Sequence, residues 1–137
     1  MTDTFLAAES ALHKDAVTVP LEAIGREQGP VEVSSTQDLR VVTSETPSTG
    51  YSWTILKNDC GARLKFKEHV YGKTGDEKFD QLYGVGKVHT FVFETPGPDS
   101  NHIRGLPCDV EFASVRPWEN NANVADQFKK KLTVTVN

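Results

Sequence analysis

Apolar and polar residues alternate along most of the chain from residue 38 onward. Leu39 and Val41, for example, fall on one face of an extended segment, whereas Arg40 falls on the other. A repeat of two is typical of a β-strand with one buried face, because an amphipathic helix repeats about every 3.6 residues instead. The alternation predicts strands at residues 17–19, 38–45, 51–57, 62–70, 87–94, 108–116 and 128–136.

Two of these segments depart from simple alternation. The segment 87–94 is apolar on both faces, since Val92 lies between Phe91 and Phe93, and we expect a strand that is buried on both sides. In the segment 108–116, the apolar residues change face between Phe112 and Ala113. A change of face of this kind predicts a β-bulge.

Segments rich in glycine and proline separate the predicted strands, at 46–50, 72–75, 84–86, 96–98 and 117–123. Short alternating strands with regular turn signals are typical of an antiparallel β-sandwich. We therefore predict an all-β protein, an antiparallel β-sandwich of about 7–8 strands. The length of 137 residues predicts one domain over residues 1–137, of which 1–30 form an N-terminal extension that fits the pattern less well.

Strand parity predicts that three connecting segments lie at the same end of the sandwich. If each strand crosses the sandwich once, successive connections alternate between its two ends. The connections after the second, fourth and sixth strands then share one end. They are the first loop (residues 46–50), the second loop (the segment ending with 84–87) and the third loop (116–118 and the residues that follow). These loops hold the most unusual residues of the chain, and we expect a functional surface there.

The two tryptophans are predicted to have different roles. Trp53 alternates with polar residues between Tyr51 and Ile55, and a core position is expected. Trp118 follows Pro117 at the end of a strand and precedes a polar segment. An exposed indole of this kind is typical of a binding hot spot, although it could instead fold back over the end of the sandwich.

Composition and charge exclude several classes of partner. The net charge of −4 argues against a nucleic-acid binder, whose affinity comes from neutralising phosphates. The chain has no apolar run near the ~20 residues that span a bilayer, and its first ten residues do not read as a signal peptide. We therefore expect no nucleic-acid or membrane partner, and either a cytoplasmic protein or the mature form of a vesicular or secreted one.

The residue pattern gives little support to an enzyme. The four histidines lack the spacing of metal ligands, so we expect no metal site. A phosphate-binding loop at Gly84 and Gly86 would need a helix after the glycines, whereas a strand pattern follows. Cys60 and Cys108 are too few for a disulfide framework, and the sequence leaves their pairing open, with two free buried thiols favoured.

The three loops, in this order, resemble the motifs of the chagasin family of cysteine-peptidase inhibitors. That family reads Asn-Pro-Thr-Thr-Gly-aromatic, Gly-x-Gly-Gly and Arg-Pro-Trp, and this chain reads Thr-Pro-Ser-Thr-Gly-Tyr, Gly-Val-Gly-Lys and Arg-Pro-Trp. The resemblance covers roughly residues 38–136. The chain departs from the pattern at Thr46, Ser48 and Lys87. Ser48 keeps a hydroxyl group, whereas Lys87 changes the end of the second loop.

The resemblance implies an immunoglobulin-like sandwich that inhibits papain-like (clan CA) cysteine peptidases, reversibly and tightly, as a monomer without a cofactor. It also implies that the second loop enters the active-site cleft while the first and third grip its walls. The peptidase-binding residues carried over from the motifs are Pro47, Ser48, Thr49, Gly50, Tyr51, Gly84, Val85, Gly86, Lys87, Arg116, Pro117 and Trp118. The alternatives are an adhesion or ligand-binding β-sandwich module and a small cysteine-dependent enzyme.

Overall fold

The computed structural model of the chain describes residues 15–45, 50–72, 88–116 and 125–137. Within these ranges, eight strands form two four-stranded sheets, which confirms the predicted all-β sandwich. The strands are β1 (Ala16–Pro20), β2 (Val31–Val33), β3 (Asp38–Ser44), β4 (Ser52–Asn58), β5 (Lys65–Tyr71), β6 (Val88–Glu94), β7 (Pro107–Val115) and β8 (Lys129–Val136). The helical segments of the described residues are short 3-10 turns at Leu21–Ala23, Gly61–Arg63 and Asp126–Phe128, and none of them could cross a membrane.

The first sheet has the strand order β1-β3-β6-β5, and the second sheet has the order β2-β8-β7-β4. The central pairs of both sheets are antiparallel, as predicted. The two N-terminal strands differ, because β1 joins β3 and β2 joins β8 in parallel. Residues 21–30 connect β1 in one sheet to β2 in the other. β2 was not predicted from the sequence.

The hydrophobic core lies between the two sheets. Leu39 and Val41 of β3 lie beside Phe91 and Phe93 of β6, and the two phenylalanines face Phe112 of β7. The ring centroids of Phe91 and Phe112 are 5.2 Å apart in an edge arrangement, which is a favoured geometry for aromatic pairs. Residues 88–93 are all buried, as predicted for this strand from its two apolar faces.

Trp53 is less buried than expected. Its side chain packs against the core but is only partly buried, like its neighbours Tyr51 and Ile55. The physical reason is the position of β4, which forms an edge of the second sheet and has a neighbouring strand on one side only.

The bulge predicted in β7 is wrong in its strand, because the register shift lies in the partner strand β4 and β7 pairs with β8 without a shift. The buried positions of β7 do change face, because Phe112 and Ala113 are both buried. In the register of β4 and β7, however, Phe112 pairs with Ile55, and Glu111 pairs with Lys57. Leu56 of β4 is therefore the additional residue. Phe112 and Ala113 are instead adjacent residues on opposite faces of β7 that are both buried, so the apolar pattern there reflects burial of both faces and not an insertion.

Cys60 and Cys108 form a disulfide, so the expectation of two free thiols is wrong. Cys60 follows the end of β4, and Cys108 is the second residue of the adjacent β7. Asp59 donates its backbone N–H to the carbonyl of Asp109 and so extends the pairing of the two strands to the cysteines. The 48-residue separation conceals this proximity in the sequence. With both cysteines bonded, neither is a free nucleophile, which argues against the cysteine-dependent enzyme.

Candidate functional site

The residues that flank the three loops lie at one end of the sandwich, as strand parity predicts. In the first sheet, Ser44 pairs with Val88, and Tyr71 pairs with His89, the next residue of β6. In the second sheet, Ser52 pairs with Val115. Ser44, Val88, Tyr71, Ser52 and Val115 each begin or end a strand beside a loop. We call this end the loop end, and the opposite end, formed by residues 58–64 and 95–108, the closed end.

The structure describes three of the twelve predicted site residues, namely Gly50, Tyr51 and Arg116. The other nine lie outside the described residues, and their roles stay predictions: Pro47, Ser48, Thr49, Gly84, Val85, Gly86, Lys87, Pro117 and Trp118. The described residues mark where the first loop ends and the third loop begins. They therefore fix the base of the candidate site.

Gly50 has a backbone conformation that explains the glycine of the first motif. Its φ angle is 77°, in the left-handed region that glycine adopts readily and side-chain-bearing residues adopt rarely. The next residue, Tyr51, directly precedes β4. A glycine at this position lets the chain turn out of the first loop and into the strand without backbone strain.

Tyr51, which follows the first loop, contacts Arg116, the first residue of the third loop. The Arg116 guanidinium carbon lies 4.5 Å from the centroid of the Tyr51 ring, which is within the range of a cation–π interaction. Arg116 follows the last residue of β7, and β7 pairs with β4, so the sheet register holds the two side chains side by side. The resemblance assigned both residues to the site, and the structure places them in contact.

Phe128 is a neighbour of this pair that the sequence interpretation missed. Its ring stacks on the Tyr51 ring with centroids 6.2 Å apart and an interplanar angle of 17°, and 39% of its surface is exposed. Phe128 directly precedes β8 and therefore ends the third loop. It shares the alternation of the buried residues Leu132 and Val134. Phe128 is the first residue of the predicted strand 128–136, and an aromatic residue at the start of a strand that follows a candidate loop was the available signal.

A chain of ionisable side chains lies beside the first and second loops. The carboxylate of Glu45 accepts a hydrogen bond from Nδ1 of His89 at 2.5 Å, and Nε2 of His89 lies 2.8 Å from Nδ1 of His69. The ring of Tyr71 stacks on His89 with a centroid distance of 4.5 Å. His89 is 2% exposed, whereas Tyr71 is 66% exposed. The sequence interpretation treated every histidine as a surface or satisfied core residue and did not predict these hydrogen bonds among Glu45, His89 and His69.

The pKa of His69 lies below its ordinary value. Partial burial disfavours its charged form, and the neighbouring His89 adds to this effect, while Glu45 opposes it. Among the described residues there is no cluster of three or more side chains with the arrangement of metal ligands.

The chain was compared with known families, sequences and structures. The model of the family described as "Chagasin family peptidase inhibitor I42" matches residues 32–136. No curated protein sequence matches the chain. The cysteine protease inhibitor EhICP2 from Entamoeba histolytica aligns over 90% of this chain and 96% of its own, with 13% identity and a TM-score of 0.60. At that identity the similarity shows a shared fold.

Two further solved structures align less closely. Amebosin aligns over 90% of this chain and 96% of its own, with 18% identity and a TM-score of 0.49. PbICP-C, which was solved in complex with falcipain-2, aligns over 90% of both chains, with 14% identity and a TM-score of 0.49.

Proposed function

The chain belongs to the chagasin family of peptidase inhibitors, and from this premise we propose that it is a reversible, tight-binding inhibitor of papain-like (clan CA) cysteine peptidases. The observation that carries the proposal is the position of the loop ends. The segments that resemble the three family motifs begin and end at one end of one sandwich. They can therefore contact a single cleft together.

In the proposed complex the second loop enters the active-site cleft beside the catalytic cysteine of the peptidase. Gly84 and Gly86 have no Cβ atom, so their backbone can approach the floor of the cleft closely. The first loop and the third loop contact the two walls of the cleft. Trp118 supplies a large apolar surface to one wall, as an aromatic hot-spot residue does.

The described base of the site supports tight binding through preorganisation. A loop that is ordered before binding loses less conformational entropy when the complex forms. The contact between Tyr51 and Arg116 holds the end of the first loop against the start of the third. Peptidase–inhibitor interfaces bury about 1,600 Å² and reach high affinity through such rigid contacts, without a reaction between the two proteins.

The test is a titration of papain with the folded chain. We expect inhibition that saturates at one chain per peptidase and that is reversed by dilution, because the chain has no free thiol to form a covalent bond. Trypsin serves as the control, since its cleft is built on a different fold and should not accept the loops. A folded chain that leaves papain fully active would contradict the proposal and would favour an adhesion or ligand-binding module.

A further inference from the structure

The hydrogen-bonded side chains of Glu45, His89 and His69 lie next to the ends of the first and second loops. Glu45 is the first residue after β3 and directly precedes the first loop. His89 is the second residue of β6, after the second loop, and His69 lies near the end of β5, before that loop. Gly72 donates its backbone N–H to the carbonyl of Val88 at 2.9 Å, so the two strands remain paired where the second loop begins and ends.

The geometry of the two histidines allows at most one added proton. The 2.8 Å contact between Nδ1 of His69 and Nε2 of His89 needs one donor and one acceptor. The other ring nitrogen of His89 donates to Glu45. With one proton added to the pair, the hydrogen bond persists. With both rings charged, two N–H groups face each other, and the contact between the rings must break.

Two charged side chains on neighbouring elements, Glu22 and Lys130, have hydrogen-bond partners of their own. Thr43 pairs with His89 in the register and donates its hydroxyl proton to the carboxylate of Glu22. Lys130 reaches across from β8 and donates to the backbone carbonyl of Ile24 at 3.2 Å. On β5, Lys67 and Glu68 precede His69 in the chain. Glu45 contacts His89 directly, and the ring of Tyr71, which is also titratable, stacks on His89 and on His69.

We propose that the hydrogen-bonded chain of Glu45, His89 and His69 fixes the first loop relative to the second, and that acidification breaks it and weakens binding to the peptidase. This inference rests on the proposed inhibitory function. The lowered pKa of His69 agrees with it, because His89 is one of its causes and the second proton is the one that the pair resists. These residues position the loops and need not touch the peptidase.

The experiment measures inhibition constants for the wild type and for His69→Phe on one papain-like enzyme, from about pH 7.5 to about pH 4.5. Phenylalanine keeps the ring contacts of His69 with Phe66 and Phe91 but cannot form the hydrogen bond. We expect His69→Phe to weaken inhibition about three- to tenfold near neutral pH. The ratio of the two constants should approach one at the acidic limit. Because both constants are measured on the same enzyme at the same pH, titration of the peptidase affects both equally and cancels in the ratio.

His102→Phe is the matched control, since His102 lies at the closed end, and its ratio to the wild type should stay near one at every pH. Glu45→Gln keeps an acceptor for His89 but removes the charge that raises the pKa of His69, so it should move the titration of His69 to lower pH. A ratio for His69→Phe that does not change with pH would overturn the proposal.

A second readout separates this proposal from the proposed function. The amide signals of Gly50 and Gly72, beside the two loops, can be followed by nuclear magnetic resonance in the free chain during a pH titration. We expect both to shift with the histidine pair in the wild type and to lose that transition in His69→Phe. If the chain inhibits no peptidase but these shifts occur, the proposed function is wrong, and the coupling between the histidine pair and the residues beside the loops is supported. If the shifts are absent, the coupling fails.

Discussion

The two ends of the sandwich are held together by different kinds of interaction. At the closed end, the disulfide joins Cys60 to Cys108, and Arg63 donates to the backbone carbonyl of Leu106 at 2.8 Å. At the loop end, described residues are joined by aromatic and cation–π contacts and by the hydrogen bonds among Glu45, His89 and His69. We therefore expect the disulfide to make the closed end the larger contributor to the free energy of unfolding, and the contacts at the loop end to respond more to sequence and pH.

This comparison predicts that stability and inhibition can be changed separately. The proposed function places all contacts with the peptidase at the loop end. Substitutions at the closed end should then change the free energy of unfolding and leave the inhibition constant alone. Substitutions in the loops should do the reverse.

Removing the disulfide should have the largest effect. The double change of Cys60 and Cys108 to serine opens a link across 48 residues, and the chain-entropy model predicts a loss of about 4 kcal/mol in the free energy of unfolding. Urea unfolding measures this loss, and inhibition of papain by the folded variant should be unchanged. A folded variant with wild-type circular dichroism but weaker inhibition would show that the closed end contributes to the binding surface.

Trp118→Ala should weaken inhibition by about 2 kcal/mol or more, roughly thirtyfold in the inhibition constant, as expected for a hot-spot aromatic residue. The change should act mainly on the rate of dissociation, and the urea midpoint should stay close to that of the wild type. Ile103→Ala is the control, because Ile103 is 63% exposed at the closed end. If Trp118→Ala lowers stability as well, the indole covers the end of the sandwich instead.

Tyr51→Leu should have a smaller effect, because it removes ring contacts at the base of the site and keeps an apolar side chain. A cation–π contact at a partly exposed site contributes about 0.5–1 kcal/mol, so we expect inhibition to weaken about two- to fivefold. Phe128→Leu removes the stacked ring but keeps the contact with Arg116, and its effect should be smaller still. Equal effects from both substitutions would assign the contribution to the stack rather than to the guanidinium.

The strands of the sandwich were predictable from the sequence because each repeats its pattern over enough residues. Leu39 and Val41 identify β3 through their alternation, whereas β2 was missed. The disulfide and the chain from Glu45 to His69 depend on which strands become neighbours. Such contacts join residues that are far apart in the sequence, as the cysteines are with a separation of 48 residues, and a local pattern does not show them. Tyr51 and Arg116 could be selected as candidate site residues because they belong to ordered motifs, and their role in binding stays a prediction, while Phe128 belongs to no motif.

The smallest expected effect is a pH dependence of stability that arises at the loop end. The pKa of His69 in the folded chain lies below its value of 6.5 in a model peptide, so the unfolded chain binds a proton more readily. The free energy of unfolding should then fall as pH decreases from 6.5 toward the folded pKa, and it should be independent of this group above that range. Urea midpoints at several pH values measure this slope, and His69→Phe should reduce it while His102→Phe serves as the control. A slope that His69→Phe leaves intact would assign the pH dependence to other groups and would separate the stability of the loop end from its histidine pair.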